Sequence, residues 1–310
     1  MTQKWNKTND LVQLEPMTTK GKHIKYTLDD VKVASVQYKD TRAGTTYVDF
    51  GKDGCRVYQR VLGAASNYVN CTNIENNFII SGLCLSGGST LGLEATTGVI
   101  AEKFKQNEYY SASEISGAVV YGGLRTNKEM YYPDKRLGRF AVNHLVDNKV
   151  YVGQVGAGIG SSYGQGSAFG EIYGVKFLAI VINNIYGDVI KNNSIVEKKH
   201  NYSSWSNKKK DQDKQFASTK ENISTNQNSC LIAVITDLDL DITQLRLMSN
   251  QLQSSVGQVI YPFNTIFDGD IIYTCSTMKL KKKFNPTQTT ILFERASSIL
   301  KKAIFKSAKY

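Results

Sequence analysis

An α/β fold is predicted by three features of the chain. Short β-branched runs separated by glycine turns fill the segment Asp30–Tyr58. An apolar run, Phe78-Ile79-Ile80 and Leu83-Cys84-Leu85, passes through Ser86-Gly87-Gly88-Ser89 into Leu91, Ala95 and Val99 at helical spacing. Two further runs, Phe177–Ile182 and Leu231–Ile235, read as central strands. At 310 residues the chain is long enough for one large α/β domain or two small ones. A hydrophobic content of 41% with only four prolines fits a packed core rather than disorder.

Residues 1–25 are polar and irregular and read as a tail or an edge strand. Met1–Pro16 holds no apolar block, so no secretory signal is expected. Asn76 and Asn77 form a turn before the strand–turn–helix unit, whose helix N-terminus suits an anion, although a tight connection also calls for those glycines. Ala118–Tyr121 is a short strand, and a helical segment lies around Arg139–Leu145. Gly153–Gly164 carries five glycines but no GxGxxG register and no GK[ST], so close backbone approach explains them better than a nucleotide. Asp241 or Thr243 caps a helix with Leu245, Met248, Leu252 and Val256 on one face, ended by Gly257. Val259–Tyr261, a turn at Phe267–Asp270, the strand Ile271–Thr274 and a basic amphipathic helix with Ile299, Leu300, Ala303 and Ile304 complete the chain.

The +11 net charge is concentrated. Residues 191–227 hold eight lysines against four acids, and residues 279–310 hold nine Lys or Arg against one acid. Charge confined to a loop-like segment and a tail reads as solvation or weak surface attraction, which argues against nucleic acid as a partner. No run is long and apolar enough to span a bilayer, so no membrane is expected and a cytoplasmic protein is. Cys55, Cys71, Cys84, Cys230 and Cys275 show no CxxC pair and read as free thiols. His23, His144 and His200 are too few and too scattered for a zinc site or a histidine-based triad. No metal or cofactor is called for.

Residues 191–227 lose all periodicity and read as a mobile polar loop leading to position 228. There the polar stretch meets Asn228-Ser229-Cys230-Leu231-Ile232-Ala233-Val234-Ile235-Thr236-Asp237. By itself this is a buried strand after a surface loop. It is also what a self-cleaving Asn228–Ser229 bond looks like, with Ser229 left as an N-terminal residue whose α-amine activates its own hydroxyl. Asp268-Gly269 between apolar runs signals a hairpin, while Asp270 makes a second acid available to orient an amine or hydroxyl.

Five stretches together carry a resemblance: Leu85-Ser86-Gly87-Gly88-Ser89-Thr90-Leu91-Gly92-Leu93-Glu94-Ala95, Val155-Gly156-Ala157-Gly158-Ile159-Gly160, Asn184-Ile185-Tyr186-Gly187-Asp188-Val189, Val234-Ile235-Thr236-Asp237 and Phe267-Asp268-Gly269-Asp270. In this order, from about Val31 to Thr277, the chain resembles the self-processing N-terminal-nucleophile peptidases that include L-aminopeptidase/D-esterases, β-peptidyl aminopeptidases and nylon-oligomer hydrolases. The resemblance implies a four-layer αββα sandwich over residues 26–310. It implies cleavage into an α chain, 1–228, and a β chain, 229–310, that assemble as homo-oligomers of α/β heterodimers acting on small peptides or amides. It casts Ser229 as nucleophile, Asn184 as a holder of the oxyanion, Tyr121 as a pocket residue, and Asp268 and Asp270 as the Asp-Gly-Asp of the nylon-oligomer hydrolase branch.

The chain departs from that pattern in two places. Ala34-Ser35 stands where Gly-His is usual, and Gln165, or a shortened loop, stands where that branch has a functional lysine. Lys176 is no substitute, since eight residues of strand place it about 26 Å from Asn184. If Gln165 occupies the lysine's place, Gln165→Lys is expected to speed processing and bring the activity optimum back towards neutrality. The missing lysine also leaves open a non-catalytic binding or structural module, and the fold leaves open an acyltransferase.

Overall fold

The computed structural model describes residues 7–63, 66–69, 79–108, 110, 113–122, 129–192, 194–197 and 228–308. Its principal strands are β1 (Lys32–Tyr38), β2 (Gly44–Asp49), β3 (Cys55–Val61), β4 (Gly82–Ser86), β5 (Ile115–Val119), β6 (Gly164–Ile172), β7 (Val175–Asn184), β8 (Ser229–Leu238) and β9 (Ile271–Leu280). Four α-helices accompany them among the described residues: α1 (Glu94–Gln106), α2 (Lys135–Val142), α3 (Ile242–Val256) and α4 (Pro286–Ser307).

Strand alternation explains why β8 is apolar throughout. Leu231, Ala233 and Ile235 enter one buried cluster, while Cys230, Ile232 and Val234 enter another on the opposite face. A strand covered on both faces has no polar side to show in its sequence. The sheet around it runs β6-β7-β8-β9-β3, with Ile79–Ile80 at its edge. Its pairs are antiparallel except β8 with β9. The other main sheet runs Val146–Asp147, β1, β2, β4, β5, Tyr68–Val69, and Pro16–Thr18 also pairs with β1.

Three buried clusters separate four layers. Val99 of α1 and Leu137 and Ala141 of α2 pack on Tyr47 and Cys84 of the first sheet. Val33, Val48 and Leu85 of that sheet meet Leu178, Ile180, Leu231 and Tyr273 of the second. Leu245, Met248 and Leu252 of α3, with Leu292, Ala296 and Leu300 of α4, cover the second sheet's outer face. Each such fully buried Leu, Ile or Val contributes about 1.5–3 kcal/mol of transfer free energy. The architecture is the predicted αββα sandwich. α4 closes against β6 because a Cβ on Gly166 would lie 2.1 Å from the carbonyl oxygen of Ala303, so only glycine admits the helix.

The helix starts are chemical. Asp241 caps α3 in a capping box with Gln244, and Asn285 caps α4 in another with Gln288, with Pro286 in its first turn. The helix expected around Arg139–Leu145 is instead Lys135–Val142, because Asp134 accepts from the Leu137 N–H at 3.1 Å and fixes an earlier start. His144 stacks on Phe140 and its Nδ1 lies 2.8 Å from the Phe140 carbonyl, a structural placement.

Other expectations change. Asp268-Gly269 is not a hairpin turn: Ile260–Tyr261 pairs with Asp188–Lys191, whereas β9 runs parallel to β8 in a different sheet. The polar N-terminal segment is laid down as short edge strands, His23–Lys25 pairing with Lys149–Tyr151. The stretch expected to be structureless from residue 191 opens with a strand, Ser194–Glu197, paired to Asp188–Lys191. Residues 198–227, Cys71 and His200 lie outside the described residues. Cys55, Cys84, Cys230 and Cys275 are free and buried. Among the described residues no helix is long and apolar enough to cross a membrane.

Candidate active site

The antiparallel ladder between β7 and β8 puts Asn184 directly opposite Ser229. Both share a face with Ile182 and Leu231, two residues along each strand, so both side chains point into the layer between the sheets. Ser229 is 3% exposed and Asn184 6%. The Asn184 Oδ1 accepts from the Ser162 N–H at 2.9 Å and from the Ser162 hydroxyl at 3.1 Å. A backbone N–H can only donate, so the amide oxygen faces the loop and the Nδ2 hydrogens remain for another acceptor. Among the described residues neither that Nδ2 nor the Ser229 hydroxyl makes a hydrogen bond.

Ser162 is held by the glycine-rich loop, whose glycines serve close packing. A Cβ on Gly44 would sit 2.1 Å from the Gly156 carbonyl oxygen, and Gly156 itself has φ 51°. The Ala157 N–H donates to Thr46 Oγ1 at 3.1 Å, pinning the loop to β2. Tyr121, half-buried, precedes Gly122, at which an added Cβ would be 3.1 Å from the Ser161 Cα. The pocket residue expected at 121 thus borders the loop that anchors Asn184. Ser162 and Thr46 were not singled out from the sequence; the Ser-Ser pair after Ile159-Gly160 was the only trace, masked by the glycine density.

Asp268 and Asp270 hold backbone. Asp268 Oδ1 accepts from the Tyr186 N–H at 3.2 Å, and its Oδ2 from the Thr265 N–H at 3.0 Å and the Thr265 hydroxyl at 2.6 Å. Asp270 Oδ1 accepts from the Cys230 N–H at 2.7 Å, one residue past Ser229, while its buried Oδ2 has no hydrogen-bond partner among the described residues. Burial, reinforced by the neighbouring Asp268, raises the Asp270 pKa well above the usual carboxylate range. Burial likewise pushes the Cys230 thiol up, with Asp270 adding to the effect. Neither carboxylate is bonded to the Ser229 hydroxyl.

The raised Asp270 pKa has a stability consequence. Folding takes up a proton there, so its stabilising contribution is complete below the unfolded value near 3.9 and is lost as pH rises through the folded one. Asp270→Asn keeps the acceptor for Cys230 and cannot ionise. In an uncut Ser229→Ala background, urea midpoints should fall less steeply with rising pH for Asp270→Asn than for its parent. Parallel slopes would show that Asp270 titrates normally.

Two sequence expectations are corrected. The Ser86–Ser89 turn is not an anion cradle, since the N–H groups of Gly87, Gly88 and Ser89 donate to the carbonyls of Gly44, Gly122 and Val120 at 3.0, 2.8 and 3.0 Å. Gln165 is not beside Ser229. It pairs with Ile182, which pairs with Leu231, so two strand spacings and two residues of rise put its Cα about 12 Å from that of Ser229. Its Nε2 donates to Ser35 Oγ at 3.1 Å and to the Tyr151 carbonyl at 2.7 Å, and its Oε1 accepts from Thr46 at 2.6 Å. Gln165→Lys therefore removes a buried acceptor and adds a buried charge, and is expected to destabilise by about 2–4 kcal/mol without speeding any reaction. An unchanged urea midpoint with faster processing would return Gln165 to the site.

Comparison with known proteins agrees with this fold. The chain is 26% identical over 329 aligned positions to a 6-aminohexanoate-oligomer endohydrolase of Agromyces sp. (strain KY5R), covering 97% of this chain and 90% of that protein. The fold is similar to that of the L-aminopeptidase D-Ala-esterase/amidase of Ochrobactrum anthropi, described as a variant of the Ntn hydrolase fold, with a TM-score of 0.64 and 13% identity over 90% of this chain and 84% of that one. A Burkholderia sp. β-aminopeptidase superposes with a TM-score of 0.65 and 14% identity over 94% and 89% of the two chains. The profile of peptidase family S58 matches residues 27–308, and the chain belongs to that family of amide-bond hydrolases.

Proposed function

We propose that the chain cuts itself between Asn228 and Ser229 and then uses Ser229 as an N-terminal nucleophile to hydrolyse amide bonds of small peptides or amides. The observation that carries this reading is the ladder pair. The hydroxyl of Ser229 and the unengaged amide N–H2 of Asn184 lie opposite one another on adjacent strands, in a buried layer, with Asn184 held from behind by Ser162.

A free α-amine titrates near 7.7–8.0, so a useful fraction is neutral at neutral pH and accepts the Ser229 proton. The hydroxyl oxygen attacks the substrate carbonyl, Asn184 Nδ2 donates to the resulting oxyanion, and the amine returns the proton to the leaving nitrogen. Water then repeats the sequence on the acyl-enzyme. Asp268 and Asp270 keep the loop and the start of β8 in place. The curated relative described above makes 6-aminohexanoate oligomers one substrate class to test beside β-peptides and small amides. An assembly of several α/β heterodimers accompanies this reading.

Intact mass and N-terminal sequencing of the purified protein test it. The smaller fragment should begin Ser-Cys-Leu-Ile. A fragment beginning at Cys230 would transfer the role to the thiol, and a chain that stays whole would favour a non-catalytic module, the reading that the missing lysine supports.

A further inference from the structure

The residue before Ser229 is gripped on both sides by the loop carrying the two acids. The Asn228 N–H donates to the Phe267 carbonyl at 3.1 Å, and the Gly269 N–H donates to the Asn228 carbonyl at 2.8 Å. Asn228 and Asp268 form a parallel bridge that continues the β8–β9 register beyond both strands. The carbonyl so bonded belongs to the peptide joined to the Ser229 nitrogen. Asn184 Nδ2, by contrast, makes no bond to it.

We infer that the backbone N–H of Gly269 is the oxyanion donor of the self-cleavage step, a role separate from that of Asn184 in substrate hydrolysis. This rests on the proposed cleavage at Asn228–Ser229. In that step the Ser229 oxygen bonds to the Asn228 carbonyl carbon, and the carbonyl oxygen becomes negative. Collapse breaks the bond from that carbon to the Ser229 nitrogen, which ends with the proton that left the hydroxyl. The product is an ester between Asn228 and the Ser229 oxygen, with a free α-amine on Ser229. Water then hydrolyses the ester to the Asn228 carboxylate and the Ser229 hydroxyl.

Three features suit Gly269 to the developing charge. Its N–H already lies within the 2.7–3.1 Å that an oxyanion donor requires. The site is desolvated, Asn228 being 6% exposed and Asp268 1%, so a hydrogen bond to negative oxygen is worth more than in water. The donor is also pre-set, because the three bonds of the Asp268 carboxylate to Tyr186 and Thr265 fix the backbone immediately before it. Asp268 is therefore a positioning residue for processing through Gly269.

The test removes one hydrogen. Cell-free synthesis with glycolic acid at position 269 turns that N–H into an ester oxygen and leaves the side chains untouched. Lactic acid at Ala308, whose N–H donates within the last turn of α4, is the control. The 229–310 fragment should appear on the order of 10²–10³-fold more slowly from the position-269 ester than from the control. Scission of the ester itself is distinguished by the mass of a 269–310 fragment.

A second measurement does not depend on that variant folding. In uncut Ser229→Ala, selectively labelled Gly269 ¹⁵N and Asn228 ¹³C′ should show a scalar coupling across the hydrogen bond, and its absence overturns the proposal. Ester and control cutting at rates within threefold of each other, in a natural chain that does cut, would remove Gly269 alone. A natural chain that never cuts would remove the processing reading and this one with it.

Discussion

Ser229→Ala is expected to leave the 310-residue chain uncut and to reduce amide hydrolysis by about four orders of magnitude or more, since the nucleophile of both reactions is gone. The effect should be purely chemical. Among the described residues the Ser229 hydroxyl makes no hydrogen bond, so its loss strands no buried partner. The urea midpoint should stay close to that of a comparison chain held uncut by other means. Ser229→Cys keeps a nucleophile, because a thiolate attacks carbonyls readily, and should retain part of both activities. Cys230 beside it points to the opposite face of β8, away from Asn184. Hydrolysis by purified Ser229→Ala at the natural rate, on any amide the natural protein turns over, would remove Ser229 from the mechanism.

Most of the fold was legible because it is written in periodicity. β7 and β8 announce themselves as unbroken apolar runs, since each buries both faces. α3 and α4 announce themselves through apolar residues at helical spacing behind Asp241 and Asn285. The loop carrying the acids was misread for a physical reason. Asp-Gly favours a hairpin locally, but the Asp268 carboxylate is consumed by Thr265 and Tyr186, and β9 pairs with β8 rather than turning back.

Ser229 and Asn184 were nameable from motifs, yet neither their opposition nor what each side chain bonds to can be read from one sequence. Register across a ladder depends on strands far apart in the chain, 184 and 229 here, and one residue of slip would turn Asn184 to the other face. Gln165 shows the converse. Its place in the sequence suggested the site, but strand pairing carries it two strands away, into a network with Ser35, Thr46 and Tyr151. The Gly269 N–H left no sequence signal at all, because a backbone donor belongs to every residue except proline.

Asn184→Asp separates the chemical role of that residue from its structural one. The substitution preserves the oxygen that accepts from Ser162, so the loop from Gly156 to Ser162 keeps its anchor. It replaces the Nδ2 donor with a carboxylate oxygen facing the place where negative charge develops. Removing one oxyanion donor costs about 10²–10³ in kcat, and an opposing charge adds to the loss. The expected result is a fall of at least that size in kcat for a small amide, with KM within a few-fold of the natural enzyme's. Asn184→Ala should lose comparable activity but also stability, by about 1–3 kcal/mol, since the Ser162 N–H is left without its acceptor. Mature enzyme isolated after cleavage is the material to assay, so that slow processing does not register as slow hydrolysis. A kcat for Asn184→Asp within threefold of the natural enzyme would mean that another group holds the oxyanion and that Asn184 serves only to seat Ser162.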